Sequence, residues 1–320
     1  MIGEITVLKN ALIKSCLIVM LVGGFSSCSE NSPSTNDSFT LVVIPDTQNA
    51  VDYTHQTAEG FAIDSVDIFL DQMRYIADRS IDNGGDIAFV ASVGDVWQHV
   101  TLEVDPSHQA RGIGAFEPPR GAVATMLKPE QTLNFELPKA IEGYQMISDA
   151  GIPFGVAPGN HDYDAWWYAR IPSTDSSNSD TDPNNVGIHV GGLNNFRRVF
   201  GNDTDFFRDK DWYVDSHAGG GSSAQLFSAA GYEFLHLAFE MQAGDAVWEW
   251  AQKVINRNPN IPTIITTHDY LNRQGERLPS GTMNLALLDP TGNNSAEELW
   301  QDFVTRNDQI FMVLSGHQIG

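Results

Sequence analysis

The chain has 320 residues, of which 42% are apolar, enough to build one large α/β domain or two smaller ones around a real core, so a disordered chain is excluded. Eighteen basic against 41 acidic residues give a formal charge of -23. That balance argues against nucleic acid and anionic lipid surfaces as partners, because both reward clustered Lys and Arg, and an anionic substrate would need a local positive charge such as a bound metal ion.

At the N-terminus Lys9 and Lys14 precede an apolar segment at 16–22, the pattern of an export signal over residues 1–27. The segment is too short to span a bilayer. Gly24-Phe25-Ser26-Ser27-Cys28 resembles a bacterial lipobox, which would make Cys28 the lipidated first residue of a chain anchored to the cell envelope; a soluble periplasmic protein is the alternative. Residues 29–37, rich in Ser, Asn, Pro and Thr, read as a tether, so a lipidated Cys and flexible stretch at 28–39 would lead into a single domain over 40–320. Cys16 would leave with the signal and Cys28 would carry lipid. No thiol would then remain for zinc, and any metal must be held by His, Asp, Asn and Gln.

Residues 40–45 form a short apolar run that stops at Asp46-Thr47-Gln48 and predict a first buried strand. Over 64–79 the apolar positions Val66, Phe69, Leu70, Met73, Tyr75, Ile76 and Ala77 keep a helical period, and Asn83-Gly84-Gly85 follows as a stop. A second strand at 87–93 closes at Gly94-Asp95. Residues 97–130 show no period and read as a loop-rich excursion, 135–150 read as a helix despite Pro138, and 152–157 read as a third strand leading to Pro158-Gly159-Asn160-His161-Asp162. Strand, helix, strand, helix, strand predicts a parallel core with right-handed crossovers.

Beyond Asp162 the aromatic run Trp166-Trp167-Tyr168 reads as a core edge or a substrate platform, and 173–185 as an exposed polar insertion. A short helix at 193–200 precedes strands at 212–214, 224–228 and 232–240, with Gly231 in a hairpin turn. A helix at 246–257, a strand at 261–267 ending at His268, a capped helix at 295–306 and a last strand at 310–314 ending at Gly316-His317 complete the pass.

Five apolar runs therefore stop at groups able to bind a metal: Asp46 with Gln48, Asp95, Asn160 with His161, His268, and His317. A single Asp or His after a strand is an ordinary turn residue. Five are different, because the carboxyl ends of strands in an α/β sheet converge on one crevice. Of the remaining histidines, His99 reads as a pocket-lining or plain loop residue and His236 as a core residue within a strand.

The order and types of these residues resemble the calcineurin-like metallophosphoesterases, whose pattern is Asp-x-His, Gly-Asp, Gly-Asn-His-Asp/Glu, a His after a strand, and Gly-His-x-His. Here it reads Asp46-Thr47-Gln48, Gly94-Asp95, Gly159-Asn160-His161-Asp162, His268 and Gly316-His317 over about residues 40–320. The resemblance implies a two-layer β-sandwich flanked by helices, with two divalent ions (Mn, Fe, Zn or Ni) at one rim and a phosphate monoester or diester as substrate. It implies that Asp95 bridges both ions, that Asp46 and Gln48 complete the first, and that Asn160, His268 and His317 complete the second. His161 would face the scissile phosphate, oriented by Asp162. Two positions depart from the pattern: Gln48 stands where the family has His, and Ile319 stands where the second His of the last motif would be. Both weaken the first ion's site, although related protein Ser/Thr phosphatases lack that second His and are active. A binding or scaffold lipoprotein with a degraded metal site is the competing expectation.

Overall fold

The structure, a computed structural model, describes residues 3–6 (backbone only), 38–117, 120–172, 185–277 and 283–318. The apolar leader segment, Cys28, the tether at 29–37, most of the polar insertion and Ile319 lie outside the described residues. The chain is mixed α/β.

Strand β1 (Gly3–Thr6) lies antiparallel on β2 (Thr40–Ile44), which runs parallel to β3 (Ile87–Ser92), and β3 runs parallel to β4 (Phe154–Val156). The crossovers contain helices Ser65–Asp78 and Leu137–Asp149, as the periodicity predicts. Each is apolar on one face. They pack closely where Gly143 meets Phe69: a Cβ on Gly143 would lie 2.4 Å from the Phe69 ring. Pro138 stands just past a local widening of a backbone that is helical on both sides of it, and kinks or widenings of this kind are where a helix accommodates a residue without an N–H. A wide π-turn, Thr132–Glu136, precedes that helix.

A two-stranded antiparallel ribbon follows, β5 (Ala165–Arg170) with β6 (Val186–Gly191). The aromatic run 166–168 is therefore part of a strand, which the sequence reading did not anticipate. Trp166 and Trp167 are both buried, on opposite faces of the ribbon, so the polar alternation that betrays most strands is missing.

The second sheet has the order β11-β10-β9-β8-β7, formed by β7 (Tyr213–His217), β8 (Ser222–Ala229), β9 (Tyr232–Ala238), β10 (Thr263–Thr266) and β11 (Ile310–Leu314). Its first three strands are antiparallel, and its last three are parallel. Ala230 and Gly231, with φ of 49° and 78°, make the two-residue turn from β8 to β9, which suits the right-handed twist of a hairpin.

Side chains of both sheets share one apolar layer in which Phe89 of β3 stacks on Phe227 of β8 at 4.4 Å, and Phe227 on Phe234 of β9 at 5.1 Å. The opposite face of the first sheet, through Val90 and Phe154, packs against the two crossover helices. The opposite face of the second sheet, through Leu237 and Ile265, packs against helix Asp245–Arg257. His236 is fully buried between Gln225 Oε1 and Thr266 Oγ1, at 2.7 Å from each, a core residue as expected. Gly155 makes room for it, since a Cβ there would lie 2.6 Å from the imidazole. No helix among the described residues is long and apolar enough to cross a membrane.

Candidate metal centre

The strands that end in the predicted ligands run parallel within their sheets, so their carboxyl ends reach one rim. Close backbone approach there depends on glycine. Gly94 (φ 96°) and Asp95 (φ 54°) turn the chain after β3, and a Cβ on Gly159 would lie 2.3 Å from Asp95 Oδ1 and 2.7 Å from His268 Cε1. A Cβ on Gly316 would lie 2.3 Å from Asp46 Oδ1, and the amide of His317 donates to Asp46 Oδ2 at 3.0 Å.

His268 is the centre of the cluster and is fully buried. Its Nδ1 lies 2.7 Å from the Val93 carbonyl, an acceptor only, so Nδ1 carries a proton and the neutral ring offers its lone pair at Nε2. Around Nε2 stand Asn160 Oδ1 at 3.1 Å, His317 Nδ1 at 3.1 Å and Asp95 Oδ2 at 3.2 Å. Ligands about 2.1 Å from one ion at right angles stand about 3.0 Å apart, so these atoms have the spacing of a first coordination shell.

The electrostatics agree. Burial would raise the Asp95 carboxyl, yet His268 and His161 hold it below the usual carboxylate range. Burial would lower His268, but Asp95 and Asp46 push it up to about 10, so without metal a proton sits where the carboxylate wants a cation. Burial and the His268 charge lower His317. A divalent ion can take the place of the Nε2 proton, and the residues present fit one there.

Next to this cluster, Asp46 and Gln48 line a pocket of about 410 Å³ with Asp95, Asn160, His161 and His317. Gln48 Nε2 lies 3.4 Å from Asp95 Oδ2, while its Oε1 is buried without a hydrogen-bond partner. A buried carbonyl oxygen left over beside two carboxylates is what a second cation would satisfy. Burial raises the Asp46 carboxyl, and the Asp95 charge adds to the shift.

His161 lines the pocket through an imidazole whose Nδ1 donates to the Gln98 carbonyl at 2.6 Å, leaving Nε2 as the working nitrogen, 4.0 Å from Asp95 Oδ2. The expectation that Asp162 orients this ring is corrected here. Both Asp162 oxygens are occupied by backbone amides, Oδ1 by Val96 N and Oδ2 by Gly159 N, each at 2.8 Å. Asp162 is fully buried and ties the turn after β3 to the turn after β4; burial and the Asp95 charge push its carboxyl up to about 8 against those two donors.

Gln98 and Glu136 were not anticipated from the sequence, and Trp166, read there as core edge or substrate platform, takes a more definite place. Trp166 donates from Nε1 to the Asn160 carbonyl at 2.7 Å and packs its ring 4.8 Å from His161. Gln98 supplies the carbonyl that orients His161. Glu136, fully buried, holds His99 Nδ1 at 2.7 Å, and Asp52 stands 3.9 Å from the same nitrogen. His99 is thus a buried ring held between two carboxylates. The spacing from Asp95 to Gln98 was the one available signal for the loop; nothing in the sequence linked Glu136 to it.

No family model matches the chain. The chain is similar to the uncharacterized protein YvnB of Bacillus subtilis (strain 168), at 26% identity over 172 residues, which are 54% of this chain and 10% of that relative. The match thus takes in about a tenth of the relative's length.

Proposed function

We propose that the chain is a metal-dependent phosphoesterase of the calcineurin-like type, hydrolysing a phosphate monoester or diester. The observation that carries this reading is the set of Asn160 Oδ1, Asp95 Oδ2 and His317 Nδ1 at 3.1–3.2 Å around the free nitrogen of His268. The layering of two sheets with helices on their outer faces is in keeping with the sandwich that the resemblance implies.

Asp95, Asn160, His268 and His317 would hold one divalent ion, and Asp46 and Gln48, with Asp95 again, the other. Two such ions would neutralise phosphoryl charge and make a water nucleophilic near neutral pH. His161, fixed by the Gln98 carbonyl, would donate from Nε2 to the departing alkoxide as the ester P–O bond breaks and the water oxygen bonds to phosphorus. Trp166 shields one side of that ring from solvent. In a chain of net charge -23, the ions would also be the attraction for an anionic substrate. Export and a lipid anchor at Cys28 belong to the same proposal and rest on the leader-like sequence alone; removal of the leader would take β1 (Gly3–Thr6) with it and leave β2 at the edge of the first sheet.

The test is hydrolysis of p-nitrophenyl phosphate and of bis(p-nitrophenyl) phosphate by protein reconstituted with Mn or Fe, beside Asp95→Ala. Turnover above that variant supports the proposal. Equal, background rates in a folded protein that binds metal would overturn it and favour the scaffold reading, for which Gln48 in place of an imidazole is the observation.

A further inference from the structure

A second group of ligand-type side chains lies away from the strand-end cluster. His108 in helix Pro106–Ala110, His189 in β6 and Asp289 in the segment after helix Leu285–Leu288 bring one ligand atom each to within 4.8 Å of one another. His189 is fully buried, and neither of its ring nitrogens has a hydrogen-bond partner. Its ring packs 4.8 Å from that of His108 and 4.8 Å from that of Trp167. A buried imidazole with both nitrogens unsatisfied is unusual in a folded chain, and it points to a missing partner.

The neighbours are arranged as the supports of metal ligands. His108 Nδ1 is bound to Asp105 Oδ2 at 2.6 Å, which turns Nε2 toward Asp289 Oδ2, 4.0 Å away. Asp289 is nearly fully buried, accepts from Thr291 Oγ1 at 2.9 Å through one oxygen and pairs with Arg111 through the other. Carboxylate behind histidine and a hydrogen-bonded ligating carboxylate are recurrent features of outer coordination shells. Each carboxylate oxygen has two lone pairs, so pairing with Arg111 does not exhaust Asp289. Gly191 permits the packing, because a Cβ there would lie 2.6 Å from His108 Nδ1.

We propose that His108, His189 and Asp289 form a separate site for a divalent cation of the zinc class, fastening helix Pro106–Ala110, strand β6 and the segment around Asp289 to one another. Two imidazoles and one carboxylate are a zinc-type donor set, and a water would fill the fourth position. Tetrahedral ligands about 2.1 Å from an ion stand about 3.4 Å apart, so the three atoms draw together by side-chain adjustments of about an ångström. The site also braces the pocket wall: Trp166 and Ile188, which face the pocket, are the chain neighbours of Trp167 and His189.

The test uses the chain with Asp95→Asn and His317→Ala, so that the strand-end cluster no longer competes for metal. This protein is stripped with chelator, offered Zn²⁺, desalted and analysed for zinc, with the thermal midpoint measured before and after. The expected result is about one retained equivalent and a raised midpoint, both lost on adding His189→Phe or His108→Gln. No retained zinc, or retention unchanged by these substitutions, overturns the proposal. His189→Phe replaces a core side chain and can fail to fold; His108→Gln, partly exposed at 14%, then decides alone.

Discussion

Glu136 and His161 are joined through a single residue: Glu136 Oε2 accepts the amide of Gln98 at 3.1 Å, and the Gln98 carbonyl takes the Nδ1 proton of His161 at 2.6 Å. The same Glu136 oxygen takes the amide of His99 at 3.0 Å, so the loop that sets the His161 ring hangs from one buried carboxylate. Glu136→Leu removes these acceptors and leaves two buried amides unpaired. Under the proposed reaction kcat should fall by about 10- to 100-fold with KM and bound metal little changed, because ring placement is lost and ligands are not. Glu136→Gln, which can still accept from both amides, should recover part of the rate. Steady-state kinetics with elemental analysis checks this; an unchanged kcat in Glu136→Leu would remove Glu136 from a positioning role.

Gly159 should tolerate no side chain. A Cβ there meets Asp95 Oδ1 at 2.3 Å and the Asp95 backbone nitrogen at 2.5 Å, and the backbone atom cannot rotate away. Gly159→Ala is expected to destabilise the chain by about 1–3 kcal/mol and to displace the Asp95 carboxylate, lowering metal retention. Gly114, whose Cβ would meet nothing within 4 Å, provides the control: Gly114→Ala should be close to neutral in urea unfolding.

The elements legible in the sequence were those whose pattern matches their burial. Helix Ser65–Asp78 shows its apolar stripe because its other face is solvated, and β3 shows an unbroken apolar run because both its faces are covered. The residues of the strand-end cluster were legible for a related reason, each ending such a run. Ribbon β5–β6 was not, because the two strands are separated by a polar stretch and Ala165–Arg170 has no polar face to mark it. The orienting role of Asp162 was carried over from the resemblance, and the packing gives it another. A carboxylate following a histidine suggests a pair, whereas its partner Val96 N lies 66 residues away and is brought to it only by the crossover. Glu136 belongs to the same class, reaching residues 98–99 from a π-turn that no spacing rule marks.

Gln48 is the weakest ligand proposed. Its amide sits against Asp95 Oδ2 through Nε2, with Oε1 unpartnered, so an amide rotation is needed before it can serve a cation. Gln48→His places an imidazole at the pocket edge, and imidazole binds first-row divalent ions better than a neutral amide. The first ion should bind at least about tenfold more tightly, read as the second equivalent in a Mn²⁺ titration by calorimetry. A second equivalent of unchanged affinity would place position 48 outside the coordination shell.

His236 should make the fold acid-sensitive independently of any metal. Burial between the sheets lowers its pKa to about 3, against an ordinary value of 6.5 in the unfolded chain. Above pH 6.5 both states are neutral at this ring and its contribution to stability is fully present. As pH falls from 6.5 toward 3 the unfolded chain takes up a proton that the folded chain refuses, so the contribution is lost progressively, by about 1.4 kcal/mol per pH unit at most. His189, lowered to about 3 by burial, acts in the same direction when metal-free. Urea unfolding of chelated protein at pH 7, 6, 5 and 4 should therefore show stability falling with acid, and His236→Gln should flatten that fall by up to about 1.4 kcal/mol per pH unit between pH 6 and 4. The groups of the strand-end cluster titrate in both proteins and cancel in the difference. Parallel slopes for the two would mean that the folded chain accommodates a charged imidazole between Gln225 and Thr266, contrary to its burial.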